Sequence, residues 1–269
     1  MSMGLALLLG LATASATTPG GWRVPAAVPE TSVALRPVLV LGDPVGDVAQ
    51  ATLEARYGRG PAAVDVQLPW VYAWNSADGW AHGGPGLLRV GAYAWIDDEH
   101  IQLGAEFATP VTSVEHAPRS WGSAAGEVLP NQEFLTVIQT WWGTDRTALT
   151  TRGGLGVRAG PYVQDVLGGR TPSAPVVTAA AALTTRLVGP LGLVSEAELL
   201  VDPYVPGTAR FLLRGDLAVG RGWIVADAGL QLPLLNLAGG SLTFQPIAQV
   251  RWYPVLDWPR PGTHPDSPR

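Results

Sequence analysis

Asp97-Asp98-Glu99-His100 is the densest run of ionisable side chains in the sequence. Asp97, Asp98 and His100 together can ligate a metal ion or activate a water. The same residues suit a tight turn, where acidic side chains satisfy free backbone amides and do nothing more. The other histidines are His82, His116 and His264; Ser113 and His116 come nearest to a nucleophile and its base, and only in sequence. The glycine-rich GGLGV at 153–157 lacks the lysine that a phosphate loop needs. There is no cysteine, so thiolate metal sites and disulfides are excluded. On this reading no catalytic, cofactor-binding or metal-binding residue is assigned, no cofactor is expected, and the chain is expected not to be an enzyme.

What positions these residues is a series of extended segments. VDVQLPWVYAW, 64–74, alternates with period two, putting Val64, Val66, Leu68, Trp70, Tyr72 and Trp74 on one face. About twelve such segments follow one another: 32–41, 48–57, 63–74, 87–96, 100–109, 132–142, 147–159, 176–188, 191–201, 209–219, 222–234 and 241–253. The alanine-rich 176–187 is read as a strand because of its β-branched residues. The connections alternate in length. GRGP, DDE, GTDR, GP and GR are tight; between them lie Asn75 to Gly86, Pro110 to Asn131, Gly160 to Pro175 and Asp202 to Thr208. All the long connections therefore leave one end of an up-and-down sheet, the pattern of an outer-membrane barrel.

Composition points the same way. Hydrophobic residues make up 47% and charged residues 14%, against about a quarter charged in soluble domains. Twelve antiparallel strands without helices leave an apolar surface that lipid or a second sheet must cover. Arginine in lipid is costly, so the charged face of each strand is assigned inward. The expected lumen lining is Arg36, Glu54, Arg56, Asp65, Arg89, Glu106, Arg152, Arg158, Arg186, Glu196, Glu198, Arg214, Asp216, Asp227 and Arg251. That is eight arginines against seven acids. Arg152, Arg158 and Arg186 have no acid assigned beside them, and Glu196, Glu198, Asp216 and Asp227 are expected to face them across the lumen. Trp74, Trp95, Trp141, Trp142, Trp223 and Trp252 lie near strand ends, as an interfacial girdle requires. A net charge of -5, with no arginine cluster joined to aromatics, excludes nucleic acid as a partner.

Residues 1–16, MSMGLALLLGLATASA, read as a cleaved signal peptide, with an apolar core and an Ala-Ser-Ala cleavage site. An N-terminal extension, 17–31, the barrel, 32–254, and a proline-rich tail, 255–269, complete the expected order. QLPWVY (67–72), GPGLLRVGAYAW (84–95), LGAEFATPVTS (103–113) and LQLPL (230–234) resemble segments of transporters in the phenol-degradation meta-pathway group of outer-membrane barrels. That resemblance implies a channel-forming or transporter-like barrel. The expectation is thus an all-β, up-and-down antiparallel transmembrane barrel in the outer membrane, contacting membrane lipid and forming a pore or transporter for small solutes. A membrane-embedded hydrolase with its site at the rim, and a non-transporting barrel for anchoring or surface interaction, are the alternatives. Oligomeric state is not legible.

Overall fold

The computed structural model describes residues 31–41, 46–59, 61–76, 78–96, 100–111, 131–143, 147–160, 173–201, 207–219, 222–233 and 245–254. The signal segment, nearly all of the extension, Asp97 to Glu99, Ser113 and His116, and the tail with His264 lie outside them. Thirteen strands follow one another: β1 (Ser32–Val40), β2 (Asp47–Arg59), β3 (Ala62–Asn75), β4 (Trp80–Pro85), β5 (Leu87–Trp95), β6 (Ile101–Pro110), β7 (Gln132–Gly143), β8 (Thr147–Ala159), β9 (Ser173–Val188), β10 (Leu191–Val201), β11 (Thr208–Val219), β12 (Gly222–Pro233) and β13 (Gln245–Tyr253). Each is antiparallel to its neighbours, and β1 pairs with both β2 and β13, so the sheet closes on itself. Closure removes the sheet's edges except along β4, which pairs only with β3.

The barrel has twelve staves because β4 and β5 form one of them. Both pair with β3: Trp70 opposes Pro85, while Gln67 opposes Arg89, a shift of one residue. The extra residue is Gly86, whose N–H donates to the Pro69 carbonyl at 2.7 Å, which makes the junction a bulge. The expected long loop from Asn75 to Gly86 is therefore corrected. Most of it is strand β4, and the reversal is a tight turn closed by Gly79 N–H to Asn75 O at 2.9 Å, with Gly79 at φ 70°. The remaining connections keep the expected parity, with short turns and both barrel termini at one end. The alanine-rich segment lies within strand β9.

Alternation sets which side each residue takes. On β1 the pattern runs buried–exposed without a break through Val38, with Ser32, Ala34, Arg36 and Val38 inward. Within strand interiors every Asp, Glu and Arg falls on the inward register. The opposite face is apolar and uncovered. Leu35, Leu53, Val66, Phe107, Ile138, Leu155, Leu183, Leu193, Leu213, Leu230 and Val250 are among the large side chains at least 40% exposed there. The Val64–Trp74 face is on the outside, with Trp70 at 56%.

Two glycines allow neighbouring strands to approach within the curved wall. A Cβ on Gly156 would strike the Phe134 carbonyl oxygen, and one on Gly229 the Phe211 carbonyl oxygen. Each is an inward position where the neighbouring strand's backbone comes too close for a side chain, a close approach that suits glycine. The girdle expectation holds in part. Trp142 and Trp252 are exposed on the outer face, joined by Tyr57; Tyr72 and Trp74 stack at 5.6 Å. Trp95 and Trp141 fall instead on the inward register of β5 and β7, with buried indole nitrogens. The side chain of Trp223 lies outside the described residues.

Candidate functional site

The interior of the barrel is where the charges meet. All fifteen residues expected to line it take the inward register. Twelve of them are tied into four groups; Arg56, Asp65 and Arg186 stand outside these groups.

On β1, β2 and β13, Glu54 accepts from Arg36 at 2.7 Å and from Arg251 at 2.6 Å, and Arg251 also donates to Ser32 Oγ at 3.1 Å. On β5 to β8, Glu106 accepts from Arg152 at 2.5 Å and from the Tyr93 hydroxyl at 2.7 Å, with Arg89 at 3.6 Å. Glu133 accepts from Arg89 at 2.8 Å and Arg158 at 2.6 Å. Arg89 thus sits between two carboxylates and joins them into one chain. On β10 to β13, Arg210 donates to Glu196 at 2.5 Å, Glu198 at 2.7 Å and Gln231 at 2.7 Å; Gln231 donates onward to Gln245 at 2.9 Å. Nearer the turn end, Arg214 lies 3.3 Å from Asp227 and 3.8 Å from Asp216, and Gln249 donates to Asp227 at 3.0 Å.

These contacts correct three expectations. First, Arg152 and Arg158 do not await acids across the lumen, because Glu106, two strands away on β6, meets Arg152 and Glu133, on adjoining β7, meets Arg158. Second, Glu133 and Arg210 belong to the interior and were absent from the sequence reading. Arg210 is completely buried and Glu133 is 4% exposed. Period two would have found both: Arg210 stands four residues before inward Arg214, and Glu133 six before inward Gln139. Third, the inventory becomes nine arginines against eight acids. Six arginines and four acids lie on β13 and β1 to β8; Arg186, Arg210 and Arg214 face Glu196, Glu198, Asp216 and Asp227 on β9 to β12. A transverse asymmetry survives, set by these local excesses. Arg186 itself turns to the rim, donating to the Gly189 carbonyl at 2.9 Å.

Tyr93 ties packing to charge. It is 4% exposed, and Cβ atoms on Gly91 and Gly104 would overlap its ring. Those glycines are the floor on which the ring lies, which aims its hydroxyl at Glu106. Gln102 and Gln139 are buried beside it, with Leu135, Val137 and Val176 forming an apolar patch further along the wall.

Of the DDEH cluster only His100 is described. Its ring stacks on Trp142 at 4.7 Å, and Nδ1 lies 3.2 Å from the Trp141 carbonyl oxygen. His82 is exposed on β4 at the opposite end. No group of three or more potential metal ligands occurs among the described residues.

No family model and no curated protein matches the chain. Among solved structures it is similar to a triple mutant of the Rhodopseudomonas blastica porin, at 8% identity and a TM-score of 0.27, over 83% of this chain and 99% of that one.

Proposed function

We propose that this chain is an outer-membrane barrel that passes small polar solutes through its interior. The observation that carries the reading is the inversion of polarity. Strand-interior charges all point inward, while an apolar belt with large exposed side chains from nearly every stave points outward. A soluble barrel does the opposite. A belt of this extent needs a cover, and acyl chains are the cover that a closed sheet accepts. Aromatic rings at the belt margins, Trp70 and Tyr72 toward one end and Tyr57, Trp142 and Trp252 toward the other, suit the headgroup zones. Membrane lipid is then the partner outside, and small solutes are the partners inside. The transporter class implied by the QLPWVY-type segments agrees with this reading.

Solute passage is supported by the interior chemistry. A barrel serving only as an anchor can fill its lumen with apolar side chains, whereas this one carries, among the described residues, nine arginines, eight acids and a set of amides and hydroxyls. One observation favours the anchoring alternative: the ion pairs are packed, with both side chains of the Arg36–Glu54 and Arg251–Glu54 pairs at most 6% exposed. Conductance separates the two. The protein, refolded and inserted into a planar bilayer, is expected to open discrete steps of current in salt. A correctly folded, heat-modifiable barrel that never conducts would leave the anchoring role.

A further inference from the structure

We propose that the turn-end half of the interior wall, from β2 to β7, is a recognition site for a small zwitterion of the α-amino-acid class. Arg56 receives the ligand's carboxylate and Asp65 its ammonium group. The proposal rests on the reading of the interior as a solute path.

Arg56 and Asp65 are directly opposed across β2 and β3, and both face inward at 2% and 1% exposure. Two opposite charges so placed would ordinarily bond to each other, yet no ion pair joins them. The Arg56 guanidinium instead passes beyond Asp65, across β3 and β5. Its Nη2 reaches Gln102 Oε1 on β6 at 3.4 Å, and its carbon lies 5.1 Å from the centre of the Tyr93 ring. Nε and Nη1 make no hydrogen bond, and neither do the carboxylate oxygens of Asp65, which the Tyr93 hydroxyl approaches. The ring that supports Arg56 is the one held on Gly91 and Gly104, and its hydroxyl is committed to Glu106. The separation of the two charges is therefore built into the wall.

Glu54 stands two residues from Arg56 on the same face and Glu106 lies beyond Asp65 across Gly91, while neutral groups fill the turn-end side of the pair. Trp95 opposes Gln102, and Gln102 opposes Gln139, so the three lie side by side across β5, β6 and β7. The Trp95 indole N–H, Gln102 Nε2 and both polar atoms of the Gln139 amide are buried without partners. They offer donors and an acceptor beside the charges.

Magnitude decides the ligand class. A buried charge without a partner is much more costly than a buried amide without one, so the two charges dominate what the site selects. A simple carboxylate serves Arg56 and leaves Asp65 open. A sugar serves the amides and neutralises neither charge. A zwitterion answers both at once. Side chains on opposed residues start from Cβ atoms about 5 Å apart, so the ligand's two charges belong on adjacent carbons, as in an α-amino acid, rather than at the ends of a peptide.

The test is a tryptophan-emission titration of the folded full-length protein in detergent micelles, with L-alanine, propionate and glucose as probes. L-Alanine is expected to saturate at a concentration at least about tenfold below the other two, a factor typical of one added charged contact. Arg56→Gln and Asp65→Asn should each raise the L-alanine midpoint by about tenfold or more. Asp65→Asn should also reverse the preference toward propionate, a gain that misfolding cannot imitate; heat-modifiable migration checks each variant's fold. No saturable L-alanine response, an equal response to glucose, or an Asp65→Asn variant that still prefers L-alanine overturns the site. The titration needs no conduction, so binding without conductance refutes only the solute path, and conductance without binding refutes only the site.

Discussion

Replacing Glu106 by glutamine tests whether the interior network is held in a dry wall or in open water. Glu106 is 4% exposed and carries three contacts: Arg152 at 2.5 Å, the Tyr93 hydroxyl at 2.7 Å and Arg89 at 3.6 Å. Arg89 keeps Glu133 when Glu106 is neutralised. Arg152 keeps no carboxylate among the described residues, and its side chain is only 10% exposed. Removing one partner of a buried ion pair costs about 3–5 kcal/mol, because the remaining charge stays desolvated. Glutamine retains a carbonyl oxygen that still accepts one hydrogen bond, which offsets about 1 kcal/mol. The expected net loss for Glu106→Gln is about 2–4 kcal/mol.

The companion change separates charge from packing. Arg152→Gln alone leaves Glu106 with Arg89 and Tyr93 and should cost less than Glu106→Gln. In Glu106→Gln/Arg152→Gln both charges are gone and the two amides can bond to each other, so the double variant should lie close to the milder single. That is a coupling energy of about 2–4 kcal/mol, the whole cost of Glu106→Gln. Reversible denaturant unfolding from lipid vesicles, followed by tryptophan emission, measures all four corners of the cycle. If Glu106→Gln lies within about 0.5 kcal/mol of the parent and the cycle shows no coupling, water screens these pairs as it does on a surface. The packed-wall argument would then be wrong.

Other outcomes follow from the same geometry. Leu53→Arg, in the middle of the outer belt, should destabilise the bilayer-embedded barrel by about 2–4 kcal/mol, while Val188→Arg, beside a turn, should cost about 0–1 kcal/mol in the same unfolding assay; equal costs would deny a lipid-facing belt. Gly156→Ala and Gly229→Ala place a methyl group against backbone oxygen and should each lower the denaturant midpoint, whereas Gly153→Ala, on the outer face with only Ile138 Cγ2 at 3.5 Å, should not. Arg152→Ser with Arg158→Ser leaves Glu106 and Glu133 to share Arg89, so the reversal potential in a salt gradient should move toward cation preference; an unchanged potential in a conducting parent would remove these arginines from the path.

Strand number and facing were legible because period-two alternation is a local property, visible wherever one face is apolar. The stave that was partly missed shows the limit. WAHGGP, 80–85, has two glycines and a proline and reads as a loop. It becomes strand because β3 runs on to Asn75 and offers its free edge to it, a tertiary pairing that overrides local propensity. Glu133 and Arg210 stand one and two residues inside β7 and β11, immediately after long connections. There the boundary of the alternation was uncertain, although stepping by two from Gln139 or Arg214 reaches each of them. Trp95 and Trp141 looked like girdle residues from their nearness to strand ends, and their parity, which places them inward, was the better guide.

Partnership was not legible, for a different reason. Parity tells which residues share the interior but not which of them meet; register decides that. Arg152 opposes Gln139 on β7, which opposes Gln102, and Ala180 on β9, so its cross-strand neighbours carry an amide and a methyl group but no acid. Its guanidinium finds Glu106 two strands away by extending along the wall, past the small residues of β8, where Gly154 and Gly156 stand on the same face. Tyr93 reaches the same carboxylate because Gly91 and Gly104 leave its ring room to lie flat. Arg152 and Tyr93 are therefore deployed where neighbouring positions are glycine, and those glycines help set which charges touch. A substitution that filled one of those gaps would change the pairing. The charge network of this barrel is a consequence of its backbone shape as much as of its charged residues.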